Sequence, residues 1–232
     1  IRLSLVGSEM CIRDSLVPAK EVGGDFFDFF LTDPDRLCFV IGDVAGKGVP
    51  AALFMSGVKA LIKSTARTIK EPDRVLKIVN EEISADNDSC TFVSVFLGIL
   101  NTENGKMRYT NAGHNPPLLI SEGGRARFLL DNKCTAIGID EDSSYKSSEL
   151  DLKPGETIYL YTDGVTEAFN TNREEFTEKR LQQSLSSQKR GSVQEEVSFI
   201  VGEVKTFSES MPQSDDIALL ALQYLGANRK TI

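Results

Sequence analysis

Between residues 21 and 44 the sequence reads EVGGDFFDFFLTDPDRLCFVIGDV: two β-rich runs separated by the turn cluster TDPDR around Pro34. This pattern predicts a β-hairpin. If the hairpin is symmetric about Pro34, paired positions sum to 68 and Asp25 lies opposite Asp43 on the same face. Two carboxylates facing each other destabilise a strand pair unless something cancels their charge, and a divalent cation is the simplest canceller. A slip of one residue would send them to opposite faces. Spacing alone does not choose between the two registers.

The rest of the composition narrows the chemistry. With 34 acidic and 26 basic residues in 232, the net charge is −8, which speaks against nucleic acid as a partner, because duplex binding relies on Lys and Arg neutralising phosphates. A hydrophobic content of 41% is ordinary for a chain that buries a core. The longest apolar runs, at 91–100 and 37–42, are of strand length and too short for a membrane span. Cys11, Cys38, Cys90 and Cys134 form no C-x-x-C pair, and with a single histidine they leave a zinc site of the usual kind without ligands. Three of the four sit in apolar or strand-like contexts, which fits reduced thiols in a cytoplasmic protein. What the chain does have in excess is carboxylate, which suits a hard, oxygen-seeking cation such as Mg²⁺ or Mn²⁺.

Along the chain, the first fifteen residues, IRLSLVGSEMCIRDS, show neither helical nor strand period. They are taken as a suspected non-native leader, so that native sequence is expected from Leu16, a catalytic domain over 16–226 and a tail over 227–232. Pro50 opens a helix, PAALFMSGVKALIKSTARTI, with proline in the first turn. A second helix is predicted over 72–86, with Val75, Ile78, Val79 and Ile83 along one face. The middle, with TFVSVFLGIL, KMRYTNAG, PPLLI, RARFLL and ETIYLYTDG separated by Gly-containing turns, reads as a meander of antiparallel strands. Helices over 174–187 and 192–210 follow, and DDIALLALQYL closes the chain as a buried strand.

Three further acidic stretches accompany the hairpin. GDVAGKG places Asp43 at a strand end before a glycine-rich turn, but it is too short for a P-loop. Asp163 ends a strand in YLYTDGV, and Asp215 and Asp216 open the last strand. Acids at strand ends are displayed at a sheet edge, where several strands can present them to one point. Together, PAKEVGGDFFD, GDVAGKGVPAALFM, NAGHNPPLL, LYTDGVTEA and SDDIALLAL resemble, in order, the PP2C-like metal-dependent protein phosphatases, in particular the bacterial branch of stage II sporulation protein E and the sigma-B regulatory phosphatases.

The resemblance implies an α+β fold: a β-sandwich of two mainly antiparallel sheets flanked by helices, with two divalent cations, Mn²⁺ or Mg²⁺, at one end. It assigns Asp43 to both metals with the backbone carbonyl of Val44 on one of them, Asp25 to the metal on that side, and Asp163 and Asp215 to the other. Asp216 then either stands behind the ligands or is itself an alternative ligand; one sequence leaves open which of the adjacent pair ligates. Metals so held acidify a water for in-line attack on phosphorus, and no phosphoenzyme is required. Where the wider superfamily has a histidine two residues after the bridging acid, this chain has Ala45, so the leaving group's proton must come from a metal-bound water or from Lys47. Where animal-type relatives have a phosphate-gripping arginine, it has Lys20. His114, in the AGHNPP turn, is expected to hold a loop rather than shuttle protons, and Gly24, Gly46, Gly48, Asn115 and Gly164 are loop or structural positions of the motifs. The Phe-rich run is expected in the core, with Asp28 on the face opposite Asp25. By analogy, the helix after Pro50 takes part in switching between inactive and metal-competent states.

The function implied is hydrolysis of phosphoserine or phosphothreonine, on a phosphorylated STAS-type anti-sigma-factor antagonist, in a cytoplasmic protein that carries an N-terminal sensory domain and forms a possible homodimer. Two alternatives compete. GGDFF suggests a GGDEF-type nucleotide cyclase, but Phe26 stands where such enzymes need an acid, and Asp163 and Asp215 would then have no purpose. A catalytically silent phosphoprotein-binding module is the other, against which the intact set of acids argues.

Overall fold

The hairpin forms in the symmetric register: Phe26 faces Gly42, Phe29 faces Phe39 and Leu31 faces Leu37, with an irregularity only before Asp33. A computed structural model describes residues 4–6, 9–85, 87, 89–130, 132–188, 191–209 and 211–227. Its elements are β1 (Ser4–Val6), β2 (Met10–Val17), β3 (Phe26–Asp33), β4 (Arg36–Val44), α1 (Val49–Thr68), α2 (Pro72–Ala85), β5 (Val93–Asn101), β6 (Lys106–Ala112), β7 (Leu118–Ile120), β8 (Ala126–Phe128), β9 (Lys133–Cys134), β10 (Ser148–Asp151), β11 (Thr157–Tyr161), α3 (Asp163–Thr166), α4 (Thr177–Ser187), α5 (Val193–Ser208) and β12 (Ile217–Tyr224).

Two sheets result, one in the order β1-β2-β12-β11-β7-β8 and the other β10-β6-β5-β4-β3. The strand pairs are antiparallel except β9, which runs parallel to β6. Alternation along each strand sorts the side chains. Leu37, Phe39 and Ile41 of β4 meet Ile158, Leu160, Leu220 and Leu222 between the sheets. Cys38, Val40 and Val44 point the other way, onto Val58 and Ile62 of α1 and Val75 and Val79 of α2. On the far side, Tyr159, Leu219 and Ala221 pack under Leu181 of α4 and Val197 and Ile200 of α5. The result is a four-layer helix–sheet–sheet–helix sandwich. The Phe-rich run supplies core as expected, yet only Phe26 is fully buried, because β3 is an edge strand and leaves Phe27, Phe29 and Phe30 half-buried.

The helices follow their sequence signals closely. Pro50 lies in the first turn of α1 behind Gly48, and α5 is opened by a capping box in which Ser192 and Glu195 satisfy each other's backbone. The helix expected from residue 174 starts at Thr177 instead, because Phe169 and Glu175 bridge in antiparallel fashion and use the preceding residues for a small hairpin. Residues 86 and 210, the expected ends of two helices, lie outside the described residues.

Residues 10–17 form one uninterrupted strand across the expected boundary at residue 15, paired along all of β12 from Met10↔Tyr224 to Val17↔Ile217. Met10 and Ile12 are fully buried between the sheets. The period-two signal in MCIRDSLV is too short to read without the partner strand it pairs with. Residues 1–3, 7 and 8 of the suspected leader, and 228–232 of the tail, lie outside the described residues. Where these residues sit does not bear on their origin, but it sets their weight in folding: Ile12→Ala is expected to cost about 2–5 kcal/mol, measured as the shift of the urea unfolding midpoint.

Candidate active site

At one end of the sandwich the inward-facing positions change from apolar to polar. On β4 the series Leu37, Phe39, Ile41 continues to Asp43; on β5, Phe96 is preceded by Ser94; on β11, Ile158 and Leu160 lead to Thr162; and on β12, Leu220 and Ala218 are preceded by Asp216. Extending the hairpin register by one residue sets Asp25 against Asp43, whose other neighbour is its register partner Ser94. Asp28 points away, to Lys63 of α1 at 2.8 Å.

The two sheets are tied together here by hydrogen bonds. Thr162 Oγ1 donates to Asp25 Oδ2 at 2.6 Å and accepts from the Ala218 N–H at 2.9 Å. Asp216 Oδ1 accepts from the Ala19 N–H at 2.7 Å and Oδ2 from the Gly24 N–H at 2.8 Å, so one carboxylate shapes the loop that delivers Asp25. Lys20 lies exposed in the same loop.

Asp163 opens the short helix α3, and its neighbour Gly164 packs so closely on the start of β12 that a Cβ there would stand 1.9 Å from the Asp216 carbonyl oxygen. Only glycine lets the two acid-bearing segments touch. Asp215 turns away from Asp216 and pairs with Lys47 at 2.8 Å, while the Lys47 ammonium also donates to the Ser214 carbonyl. Lys47 stands between Gly46 and Gly48, whose φ angles of 100° and 82° suit glycine. The Val44 carbonyl lies against Gly24.

Burial and crowding raise the pKa of Asp25, Asp43 and Asp163. Burial first, and then the charge of Asp43, pushes Asp25 from 3.8 up to about 9; burial, then Asp163 and Asp215, pushes Asp43 up to about 7. Asp163 is raised too, by burial and by Asp215. Among the described residues no three acids, histidines or cysteines already gather as a ready coordination sphere, yet the carboxylates lie near enough to raise one another. Oxygen donors that are partly desolvated and mutually repelling form a set that hard divalent cations satisfy.

His114 is buried away from bulk water, with Nδ1 2.7 Å from Ser94 Oγ and its backbone paired to the Asn111 side chain in both directions. Burial pushes its pKa down to about 3, so the ring is neutral. Asn115 lies half-buried beside it. Sequence reasoning missed Thr162 and Ser94, although alternation in YLYTDG and in TFVSVF puts each on the inner face.

Residues 33–225 match the sequence family described as stage II sporulation protein E. The chain belongs to that family. The relatives fill in its surroundings. Over 96% of its length it is 31% identical to the phosphoserine phosphatase RsbU of Bacillus subtilis, and over 88% it is 31% identical to the protein IcfG of a Synechocystis species. It spans 68% of RsbU and 36% of IcfG. The SiaA-PP2C domain of Pseudomonas aeruginosa shares the fold, with a TM-score of 0.82, 24% identity and coverage of 92% of this chain and 85% of that one. The architecture is therefore that of the PP2C protein phosphatases, and the enzyme class of the family is protein serine/threonine phosphatase. No helix among the described residues is long and apolar enough to cross a membrane.

The raised carboxyls set a pH dependence. A group whose folded pKa lies above its unfolded value contributes stability that is complete below the unfolded value and is lost as pH rises through the folded one. In chelator-treated protein, stability should therefore decline from the ordinary value of 3.8 through about 7 for Asp43 and about 9 for Asp25. Melting curves of Asp25→Asn should lose the upper part of that decline relative to the parent; an unchanged slope would count against the shared burial of the pair.

Proposed function

We propose that the chain is the catalytic domain of a metal-dependent phosphatase acting on phosphoserine or phosphothreonine in proteins. The observation that carries this reading is the meeting of Asp25, Asp43, Asp163 and Asp215 at one end of the sandwich, where burial and neighbouring carboxylate charge raise the pKa of Asp25, Asp43 and Asp163. Asp25, Asp43 with the Val44 carbonyl, Asp163 and Asp215 would hold Mn²⁺ or Mg²⁺, with Asp216 behind them. Two such ions supply a water acidified toward neutral pH and a clamp for phosphoryl oxygens.

The surrounding residues have separable tasks in this reading. Thr162 fixes the rotamer of Asp25, and Asp216 holds the loop 19–24 in the shape that brings Asp25 to Asp43. Lys47 carries positive charge to the rim; its bond to Asp215 raises its pKa, which makes it a poor acid, so solvent water is the better source of the leaving group's proton. Lys20, on the exposed loop, is the remaining cation of the motif and can meet a phosphoryl oxygen only as a point charge. His114, neutral and buried, holds the turn beside Ser94.

The likeness to RsbU supports a STAS-type anti-sigma-factor antagonist as the phosphorylated substrate, in a partner-switching pathway. The family match leaves the nucleotide-cyclase alternative without support. The silent-module alternative is decided by turnover. Mn²⁺-dependent hydrolysis of an aryl phosphate and release of phosphate from a phosphorylated STAS protein are expected, with Asp43→Asn lowering both by more than about 100-fold, the upper end of what losing an outer-shell partner of a metal site costs. Binding of the phosphoprotein with no hydrolysis across divalent metals would favour the silent module.

A further inference from the structure

Beside the acids lies a recess of ≈ 300 Å³ that the proposed chemistry does not use. Its floor and walls are apolar: Ala168, Phe169, Val204, Met211, Pro212 and Ile217. Phe169 and Met211 are each 37% exposed, large apolar surfaces left open to solvent. Lys205, Glu209 and Gln213 make a polar rim. An apolar hollow with a few polar groups at its edge has the form of a side-chain binding pocket, and this volume suits one or two residues.

Its position is what gives it a role. The wall includes Gly164 and Ser214, which are the chain neighbours of Asp163 and Asp215. Those segments are locked together, because Gly164 meets the Asp216 carbonyl with no room for a Cβ and Gln213 Nε2 donates to the carbonyls of both Val17 and Asp215. The recess is thus held at a fixed offset from the carboxylates. Through Gly164 and Ser214 the recess lies within a few residues' reach of the acids, near enough for a residue flanking a phosphoryl group held there.

We propose that this recess is a specificity pocket that takes an aliphatic or aromatic side chain flanking the phosphorylated residue of the substrate protein. The inference rests on the phosphatase reading above and adds a substrate requirement to it. Binding there orients the phosphoryl group by anchoring the chain on one side, and an aryl phosphate, which has no flanking residue, gains nothing from it.

The test compares two phosphoserine decapeptides, one with leucine at the positions flanking the phosphoserine and one with serine there, alongside para-nitrophenyl phosphate, all with Mn²⁺. The leucine peptide is expected to have kcat/KM at least about tenfold higher, the scale of discrimination that burial of an aliphatic side chain in a pocket provides. In the double variant Phe169→Ser/Met211→Ser that advantage should fall below about threefold, while aryl phosphate turnover stays within about twofold of the parent and shows that the fold and the acids are intact. Equal use of the two peptides by the parent, or an advantage that survives the double variant, overturns the pocket. Failure of the parent to hydrolyse the aryl phosphate at all overturns the phosphatase reading instead, and the pocket's role with it.

Discussion

The hydrogen bond from Thr162 to Asp25 joins the two sheets where the apolar core ends, and the arrangement of the acids depends on it. Elsewhere the sheets are held by interdigitated side chains such as Phe39, Phe96, Leu160 and Leu220, contacts that are strong in sum but fix no direction. At the polar end direction matters, and it is supplied by short hydrogen bonds: Thr162 to Asp25 across the sandwich, Asp216 to the backbone of Ala19 and Gly24, and Ser94 to His114 along the sheet. Thr162 Oγ1 also accepts the Ala218 N–H and Asp216 takes two backbone N–H groups, so these two side chains bring little unpaired surface into the interior.

The same layer is where the fold works against itself. Asp25 and Asp43 are side by side because the hairpin register demands it, and both sit in a region poor in water. Without compensation the pair must share protons, which is the physical content of their raised pKa values. Lys47 neutralises only the outer acid, Asp215, and it is partly exposed, so its contribution to stability is small. Inward from it, charge accumulates. A site that costs stability when its acids ionise and recovers it when a cation is bound is one whose folding and ligation are coupled.

Much of this was legible in the sequence, and the reasons differ between elements. The hairpin could be read because a single turn cluster around Pro34 and two long β-rich runs leave few registers, and the acids fell at matching distances from the turn. Helices α1, α2 and α5 carried their own start signals. Strand β2 was not read, since its alternation covers too few residues and its partner, β12, is some two hundred residues away. The tie from Thr162 was missed for a related reason: the threonine of TDG looks like turn chemistry until the strand's inward face is known. The start of α4 was misplaced because bridge formation between Phe169 and Glu175 outweighs helix propensity in 174–176.

Adjacent acids at the start of β12 show how a strand divides labour. Asp215 sits at a bend just before β12 and Asp216 directly precedes the strand, and the two side chains take different partners. Asp216 turns inward, where each of its oxygens already accepts a backbone N–H within 2.8 Å. Asp215 turns toward the rim, where one oxygen meets the Lys47 ammonium and the other its neighbour's N–H. Exchanging a lysine for another cation requires only a change of rotamer at Lys47, whereas recruiting Asp216 would release the loop that carries Asp25 and undo the pairing on which the site rests. Under the proposed metal-dependent reading, this arrangement favours Asp215 over Asp216 as the ligand, and leaves Asp216 to keep Asp25 in place.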